Sequence, residues 1–362
     1  MNNQIIICLA ACLLSIHVSG QVFITSKDAR FISKGNVAIS LNDMDFVNHG
    51  EFTQDRGQIR FNDTRSLTYL EGSKSPQFYK VKLNIKGILR VGIDFTVINT
   101  LTFEDGEIDL LNNDLFLPLN ESRLIGETSY NRVLSSGHGE IIKYSVNEQL
   151  QDQNIGNLGL IFMDFNNTDS LIIRRGHSTL TLPFGESITR YYSVSTFTKP
   201  NDKLRLGLEY FDDEVLVHGP EFEEQIWVKN NGEWNSAQTN SQRKTEGKGY
   251  VVNGMLEISE SIVTVGLYRR LISKSEIPNV FTPNQDGIND TFIIPGIEKL
   301  SNAEVQIYNI YGRLLFTSND YLKNPWDGTF NHQLQPIGTY HFQVIDSSNP
   351  LEFIQGEISI IK

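Results

Sequence analysis

Short runs in which apolar and polar residues alternate recur along the chain, and Gly or Asn residues separate them. Three such runs are Gln58–Phe61, Lys80–Ile85 and Glu357–Ile360. A period of two places successive side chains on opposite faces, so each run predicts a half-buried β-strand. Alanine, the best helix former, occurs after residue 20 only at Ala29, Ala38, Ala237 and Ala303. We therefore predict an all-β fold.

The first 20 residues have a different character. An apolar run over residues 5–18 is followed by two small residues and then by Gln21. The run is shorter than the roughly 20 apolar residues that a spanning helix needs. We therefore predict a signal peptide at residues 1–20, although Met1–Gln4 carries no Lys or Arg. The alternative is a lipoprotein signal, because Leu9–Cys12 resembles a lipobox.

Both cysteines, Cys8 and Cys12, lie within the predicted signal peptide. The mature chain would then have no disulfide, no thiolate metal site and no cysteine nucleophile. The formal net charge is -12 and no cluster of Lys and Arg stands out, which argues against a nucleic-acid partner. After residue 20, no apolar stretch of the sequence is long enough to cross a membrane.

Strand lengths and corner residues divide the rest of the chain into three regions. Residues 21–144 have Gly or Asn corners about every 20 residues, which favours a β-solenoid-like region over the alternative of an irregular sandwich. Residues 145–271 have longer strands and clustered aromatic residues, which predict an antiparallel β-sandwich. After a short polar hinge, residues 278–362 have the length of a small Ig-like β-sandwich.

The last region carries five motifs in order. They are Asn279–Phe292, Val305–Phe316, Trp326–Gly328, Pro336–Tyr340 and Gly356–Lys362. Their order and spacing resemble the gliding-motility-associated C-terminal domain, the type B sorting signal of the type IX secretion system. The sequence has Ile310-Tyr311 where many members have Arg-Trp, and Gln355-Gly356 where Lys-Gly is usual.

The resemblance assigns the sorting signal to specific residues of the last region. They are Phe281, Thr282, Pro283, Asn284, Asp286, Gly287, Asn289, Asp290, Tyr308, Asn309, Gly312, Trp326, Asp327, Gly328, Gly338, Thr339, Tyr340 and Gly356. In the middle region, Leu158–Leu160, Ile172–His177, Ser187–Tyr192 and Leu206–Glu214 are similar to a module that precedes such domains in large Bacteroidota surface proteins.

The resemblance also implies a route and partners. The chain would pass the inner membrane by its signal peptide, fold in the periplasm and cross the outer membrane through the type IX secretion machinery. The system's surface protease is a second implied partner and a candidate for removing the terminal domain. The product would be secreted or held on the outer-membrane cell surface.

One group of oxygen-bearing residues could bind a metal ion. Asn284, Asp286, Asn289 and Asp290 surround Gly287, and Ca²⁺ prefers such carboxylate and amide oxygens. The spacing is not that of an EF-hand. The favoured alternative is a turn in which Asn and Asp side chains accept hydrogen bonds from their own backbone. We therefore expect no cofactor, with calcium as the alternative.

Several other groups have a functional and a structural interpretation. Arg174, Arg175 and His177 could bind an acidic ligand, but pairing with acidic residues such as Asp212–Glu214 is favoured. The acidic runs Asp212–Glu214 and Glu221–Glu224 could supply a glycosidase pair, although such runs are more often solvated loops. Aromatic residues could stack on sugars, but a core role is favoured for Tyr191, Tyr192, Tyr210, Trp227 and Trp234.

The sequence contains no Gly-x-Ser-x-Gly elbow, no His-Glu-x-x-His motif and no Walker loop. We therefore predict a non-enzymatic, structural or adhesin-like surface protein with a glycan or surface-protein ligand. The alternative is a carbohydrate-binding or polysaccharide-processing surface protein. A third hypothesis is a component that joins larger surface proteins through the edge of its solenoid.

Overall fold

The computed structural model describes residues 6–7, 15–19, 21–146, 153–163, 170–183, 185–196, 204–217, 222–236, 239–245, 248–256, 260–269 and 271–361. The regular structure within these ranges is β-strand except for short 3₁₀ helices, which confirms the all-β class. The 3₁₀ helices are Ile155–Asn157, Asp212–Glu214, Lys274–Glu276 and Ile297–Lys299. The chain forms two compact units, Met1–His218 with Glu224–Tyr268, and Gly219–Glu223 with Arg269–Lys362.

The first unit begins with a parallel β-solenoid of about five turns, as predicted. Its strands are β1 (Ile6–Ile7), β2 (Ser15–Ser19), β3 (Val22–Thr25), β4 (Arg30–Ser33), β5 (Ala38–Asn42), β6 (Asp45–Asn48), β7 (Glu51–Gln54), β8 (Gln58–Asp63), β9 (Leu67–Gly72), β10 (Gln77–Val91), β11 (Phe95–Asp109), β12 (Leu115–Leu117), β13 (Arg123–Ile125), β14 (Val133–Leu134) and β15 (Ile141–Val146).

Parallel pairing arranges these strands into three faces, and β10 and β11 run through all of them. The first face also contains β1, β4, β7, β12 and β15. The second face also contains β2, β5, β8 and β13. The third face also contains β3, β6, β9 and β14. Each turn of the solenoid therefore contributes one strand to each face, and β10 and β11 each supply the strands of a whole turn.

Phenyl rings fill the interior of the solenoid from turn to turn. The ring centroids of Phe46 and Phe52 lie 5.0 Å apart, those of Phe52 and Phe78 5.4 Å, and those of Phe78 and Phe95 6.3 Å. All four side chains are buried, and all three pairs have the edge-to-face geometry that aromatic rings prefer. Because neighbouring turns stack directly, the alternating sequence pattern produces one continuous apolar core.

Glycine is required at a solenoid corner where one turn comes close to the next. Gly57 has a φ of 92°, and a Cβ atom there would lie 2.1 Å from the carbonyl oxygen of Val37. No larger residue fits this position without moving the backbone of the previous turn. This contact explains why the sequence places Gly between two alternating runs.

Two of the strands, β1 and β2, lie inside the predicted signal peptide and pair in parallel with β4 and β5. Cleavage before Gln21 would remove these strands and leave β4 and β5 without those partners. The predicted cleavage position at Gly20 and the lipobox residue Cys12 lie outside the described residues. The signal peptide therefore stays a prediction.

Strand β15 joins the solenoid to an antiparallel sheet, since it pairs in parallel with β12 and antiparallel with the next long strand. The predicted boundary between residues 144 and 145 falls inside β15. The antiparallel sheet continues with β18 (Ser170–Gly176), β19 (Thr181–Leu182), β20 (Gly185–Thr196), β22 (Phe222–Asn230), β23 (Glu233–Ser236) and β26 (Glu260–Arg269).

A second antiparallel sheet lies against the first. Its order is β16 (Gln153–Asn154), β17 (Leu160–Met163), β21 (Leu204–Phe211), β25 (Lys248–Leu256) and β24 (Thr239–Thr245). The Tyr192 hydroxyl of the first sheet donates to the Leu158 carbonyl, 2.6 Å away, just before β17. The buried apolar residues between the sheets include Leu160, Phe162, Ile173, Val194, Leu206 and Val263.

The second unit contains one five-stranded sheet in the order β27 (Val280–Phe281), β33 (Asn349–Ile360), β32 (Gly338–Asp346), β28 (Ala303–Tyr308) and β29 (Leu314–Ser318). A hairpin of β30 (Thr329–Phe330) and β31 (Gln333–Leu334) and a bridge between Phe292 and Trp326 complete the predicted terminal domain. One face of the sheet is apolar and buried, because alternate residues of β28, β32 and β33 face the core.

Across the described parts of the chain, no helix has the length and apolar character needed to pass through a bilayer.

Candidate functional site: the terminal domain

Three aromatic residues from three different sequence motifs meet in the core of the terminal domain. Trp326 is 0% exposed, and its ring centroid lies 5.4 Å from that of Phe281 and 5.2 Å from that of Tyr340. The indole nitrogen of Trp326 donates to the Thr329 carbonyl at 3.0 Å. The spacing of the motifs is therefore explained by packing: residues far apart in sequence build one core.

Tyr321 belongs to this core although no sequence motif includes it. Its side chain is buried, and its hydroxyl donates to the Phe292 carbonyl at 2.7 Å. The Phe292 amide in turn donates to the Trp326 carbonyl at 2.8 Å. Tyr321 lies in a polar loop without period-two alternation, so the sequence offered only the isolated aromatic residue as a signal.

Two of the motifs form tight turns that end in glycine. The Asn309 carboxamide oxygen accepts the amides of Tyr311 and Arg313, each at 3.0 Å, and Gly312 has a φ of 77°. At the second turn, Asp327 accepts the Thr329 amide at 3.0 Å and the Thr329 hydroxyl at 2.7 Å. These turns need Asn or Asp as a local acceptor and Gly for the left-handed backbone.

Four further motif residues lie on strands β28, β32 and β33 of the sheet. A Cβ atom on Gly356 would lie 2.6 Å from the ring of Phe342, so the glycine leaves room for that buried ring. Thr339 and Ser359 share a hydrogen bond of 3.2 Å between their hydroxyls, next to Gly338 at the start of β32. Tyr308 ends β28, where its backbone pairs with β29 and β32.

The loop of the candidate calcium site is closed by its own side chains. Asp290 accepts the amide of Gln285 at 2.6 Å and that of Gly287 at 2.7 Å. Asp286 accepts the amide of Ile288 at 2.8 Å, and Asn284 accepts the Asp286 amide at 3.1 Å. This is the turn that the sequence favoured.

The remaining predicted residues of this loop are held by the backbone. Asn289 has a φ of 55° and its carbonyl accepts the Thr282 amide at 2.9 Å, which places Pro283 at the start of the loop. Among the described residues, no group of three or more His, Cys, Asp and Glu side chains could hold a metal ion. Calcium binding here stays a prediction.

We expect Asp290→Ala to destabilise the terminal domain by about 1–3 kcal/mol, because two backbone amides lose a charged acceptor. Thermal unfolding of the full chain with and without about 1 mM Ca²⁺ would measure this change and test the calcium alternative together. The expected result is a lower midpoint for the variant and no effect of calcium on either protein. A calcium-dependent rise that Asp290→Ala removes would instead establish the metal site.

The two departures from the common motif pattern both lie at exposed positions. Ile310 and Tyr311 are 61% and 87% exposed at the tip of the β28–β29 turn. Gln355 is exposed on β33, whereas the Gly356 that follows it packs against Phe342. Neither departure changes a residue of the aromatic core, so both are compatible with the layout of the domain.

Residues 275–358 match the family model of the CHU_C type IX secretion signal domain. This segment is a type IX secretion signal domain. The sorting domain predicted from the sequence is thus confirmed, and the match extends from the hinge into β33. Such a domain directs export to the cell surface or the medium and interacts with the secretion machinery. No curated protein and no solved structure matches the chain.

The arginines singled out in the middle region form ion pairs, but not with the partners that the sequence indicated. Arg175 binds Glu127 through two hydrogen bonds of 2.7 and 2.8 Å. Arg174 lies 3.6 Å from Glu140. Both acidic residues come from the last turn of the solenoid, so Asp212–Glu214 is not the partner of either arginine.

The acidic residues of the middle region are also engaged elsewhere. Asp213 accepts a hydrogen bond of 2.8 Å from Arg132, and Glu214 is buried with Arg190 at 2.7 Å. Both arginines place their guanidinium groups over the ring of Phe211. Of the second acidic run, Glu221 lies outside the described residues and Glu224 is buried.

The aromatic residues of the middle region are mostly core residues. Tyr192, Tyr210 and Trp227 are buried. Tyr191 is half-buried and donates to Glu140 at 2.9 Å, whereas Trp234 is half-buried with the Lys229 ammonium 5.6 Å from its ring centroid. Of this set, Tyr191 and Trp234 are the residues that stay partly exposed to solvent.

Two buried groups at the solenoid–sandwich junction have shifted pKa values. Burial would raise the pKa of Glu127, but Arg175 and Arg190 together with its hydrogen bonds outweigh burial and lower it. Burial, followed by the charges of Arg175 and two further arginines, holds the pKa of His177 well below its ordinary value of 6.5. Each shift means that the unfolded chain takes up a proton at a higher pH than the folded chain.

We therefore expect the free energy of unfolding to fall as the pH drops below about 6.5, by up to about 1.4 kcal/mol per pH unit from His177. Glu127 should add a second loss below its ordinary pKa of 4.5. Urea unfolding at a series of pH values across this range measures both losses of stability. The variant His177→Gln should lack the first loss and keep the second, and identical profiles for the two proteins would contradict the assignment.

Proposed function

We propose that this chain is a non-enzymatic, adhesin-like surface protein that the type IX secretion system exports. The terminal domain supplies the address, and the solenoid with its joined sandwich supplies the displayed part. The observation that carries the proposal is the division into a sorting unit and a unit of stacked, extended β faces. Extended faces of stacked turns are the surfaces by which such repeat folds bind their partners.

The proposed route has three steps. Residues 1–20 act as a cleaved signal, the chain folds in the periplasm, and the terminal domain then takes it through the outer membrane. Folding without disulfides is consistent with the core that the solenoid buries from turn to turn. The surface protease of the system is the proposed enzyme that removes the terminal domain, and N-terminal sequencing with intact-mass measurement of the exported product tests both cleavages.

The adhesive role can be separated from export by deleting only the displayed part. Cells would produce either the full chain or a version that lacks residues 21–268 and keeps the signal and terminal domain. We expect both versions to reach the surface, as an epitope tag and protease treatment of intact cells would report. Only the full chain should increase attachment of the cells to a substratum.

Equal attachment by cells that make either version, with both versions exported, would refute the adhesive role. Hydrolysis of a polysaccharide by the purified full chain, above that of a sample lacking it, would refute the non-enzymatic assignment. The sequence alternative, a carbohydrate-processing protein, would then be preferred.

A further inference from the structure

The second face of the solenoid carries ordered columns of polar side chains. Register pairing aligns many outward residues of successive turns with their equivalents in the next strand, although bulges shift the register between β10 and β11. One column is Ser40, Arg60, Lys82, Thr102 and Ile125; a parallel column contains Lys80, Thr100 and Arg123. A third contains Asn42, Asn62, Asn84 and Asp105. We call this surface the columned face.

Basic residues predominate on the columned face, although the chain as a whole has a formal charge of -12. The cations are Arg60, Lys80, Lys82 and Arg123, all at outward positions that solvent reaches. Two carboxylates share this face. Asp105 pairs with Lys86 at 2.8 Å, and Glu104 lies 2.9 Å from Lys82 and 3.8 Å from Arg60. The side chains of Glu104, Lys82 and Arg60 stay about one-third exposed, so solvent still reaches them.

The asparagine column adds regular hydrogen-bonding groups. The Asn62 carboxamide donates to Asn42 at 3.1 Å and to the Ser40 hydroxyl at 2.8 Å. The Asn84 carboxamide donates to Asn62 at 3.5 Å. Because the Asn62 and Asn84 carboxamides donate along the column, these two side chains are held in one orientation. Asn42 and Asn84 are exposed to solvent beside the cations.

Adjacent strands of a sheet lie about 4.8 Å apart, so a polymer crossing the columned face meets a new polar group at that interval. We propose that the columned face binds a linear anionic polysaccharide, with Arg60 and Lys82 as its main charge partners. Regularly spaced cations match the repeating anionic groups, and the Asn, Ser and Thr side chains match the hydroxyl groups of sugar rings. The proposal rests on the proposed adhesive function and names its ligand class.

Carboxylated and sulfated polysaccharides share this chemistry, and arginine and lysine bind both anions. Nucleic acid is a different polyanion and fits less well. Proteins that bind single strands stack the bases on aromatic side chains, and none of the outward residues in the three columns is aromatic. The cations are also few and are interrupted by two carboxylates, Glu104 and Asp105.

The test is affinity electrophoresis of the full chain in native gels. The gels would contain polygalacturonate, chondroitin sulfate, duplex DNA or uncharged dextran. We expect retardation by an anionic polysaccharide and none by dextran. The variant Arg60→Gln with Lys82→Gln should bind about tenfold more weakly, and added salt should weaken the binding of the unaltered chain.

A matched control removes two exposed arginines from the other faces, as Arg30→Gln with Arg90→Gln. Arg30 pairs with Glu51 on the first face, as Arg60 and Lys82 pair with Glu104 on the second. This control should bind like the unaltered chain. Because both variants lose the same charge, a difference between them assigns binding to the columned face.

The pattern of retardation shows whether the columned face binds carboxylated or sulfated polysaccharides. Retardation by polygalacturonate alone identifies carboxylated polymers, and retardation by chondroitin sulfate alone identifies sulfated ones. No retardation by either, equal loss in both variants, or stronger retardation by DNA would overturn the proposal. A chain that reaches the surface but binds no polysaccharide would leave the export assignment intact. The variant Arg60→Gln with Lys82→Gln should still be exported, because its terminal domain is unchanged.

Discussion

Truncation of the chain after Leu271 is expected to abolish its appearance on the cell surface and in the medium. The truncated chain keeps the whole solenoid–sandwich unit up to Tyr268 but lacks the type IX secretion signal domain. It should therefore accumulate in the periplasm of a type IX-competent host. Fractionation and protease accessibility on intact cells measure the distribution, with the full chain as reference.

A point substitution tests whether the folded terminal domain, rather than mere length, is required. We expect Trp326→Ala to cost about 3–5 kcal/mol, because it empties the centre of the aromatic core. Export of the chain should fall as the terminal domain loses stability. Tyr311→Ala, at a position 87% exposed, is the matched control and should leave the fold intact.

The outcomes separate three interpretations. Loss of export with truncation and with Trp326→Ala, but not with Tyr311→Ala, shows that the folded core is needed. Loss with Tyr311→Ala as well would place recognition at the β28–β29 turn. Equal export of the full and truncated chains would show that the terminal domain is not the address.

The second large effect is expected at the buried ion pair between Glu127 and Arg175. Arg175 is 0% exposed, and Glu127 supplies both oxygens to it. We expect Glu127→Ala to destabilise the first unit by about 3–5 kcal/mol, because it leaves a buried guanidinium without its counter-charge. The loss should appear as a lower midpoint of urea unfolding. The fluorescence of Trp227 and Trp234 would monitor this transition.

An exposed pair and a double replacement serve as controls. Glu51→Ala breaks the solvent-exposed pair with Arg30 and should cost less than about 1 kcal/mol. Replacing both buried partners, as Glu127→Leu with Arg175→Met, should recover much of the lost stability, because no unpaired charge remains. If Glu127→Ala behaved like Glu51→Ala, the buried pair would not hold the solenoid to the sandwich.

Local patterns in the sequence were sufficient for the fold class and for the sorting domain. Period-two alternation is a property of each strand alone, and glycine at a corner such as Gly57 reports a backbone conformation that other residues avoid. The five C-terminal motifs could be recognised because their order and spacing reflect one small core, in which Phe281, Trp326 and Tyr340 meet.

Charge pairing could not be read from the sequence in the same way. Arg175 and Glu127 are 48 positions apart and come together only because β15 joins the last solenoid turn to the antiparallel sheet. The acidic run Asp212–Glu214 was favoured because opposite charges often pair across strands, but the sequence does not show which strands are neighbours. Tyr321 was missed for a similar reason, since its partner Phe292 is 29 positions away.

The sequence by itself determined that the chain is built of strands and ends in a sorting domain, because strand periodicity and turn chemistry act over a few residues. Only the tertiary structure decided which side chains lie side by side. Arg60 and Lys82 form one column because the hydrogen-bond register of β8 and β10 aligns them. That register depends on the whole stack of turns, including the bulges between β10 and β11, and no local pattern specifies it.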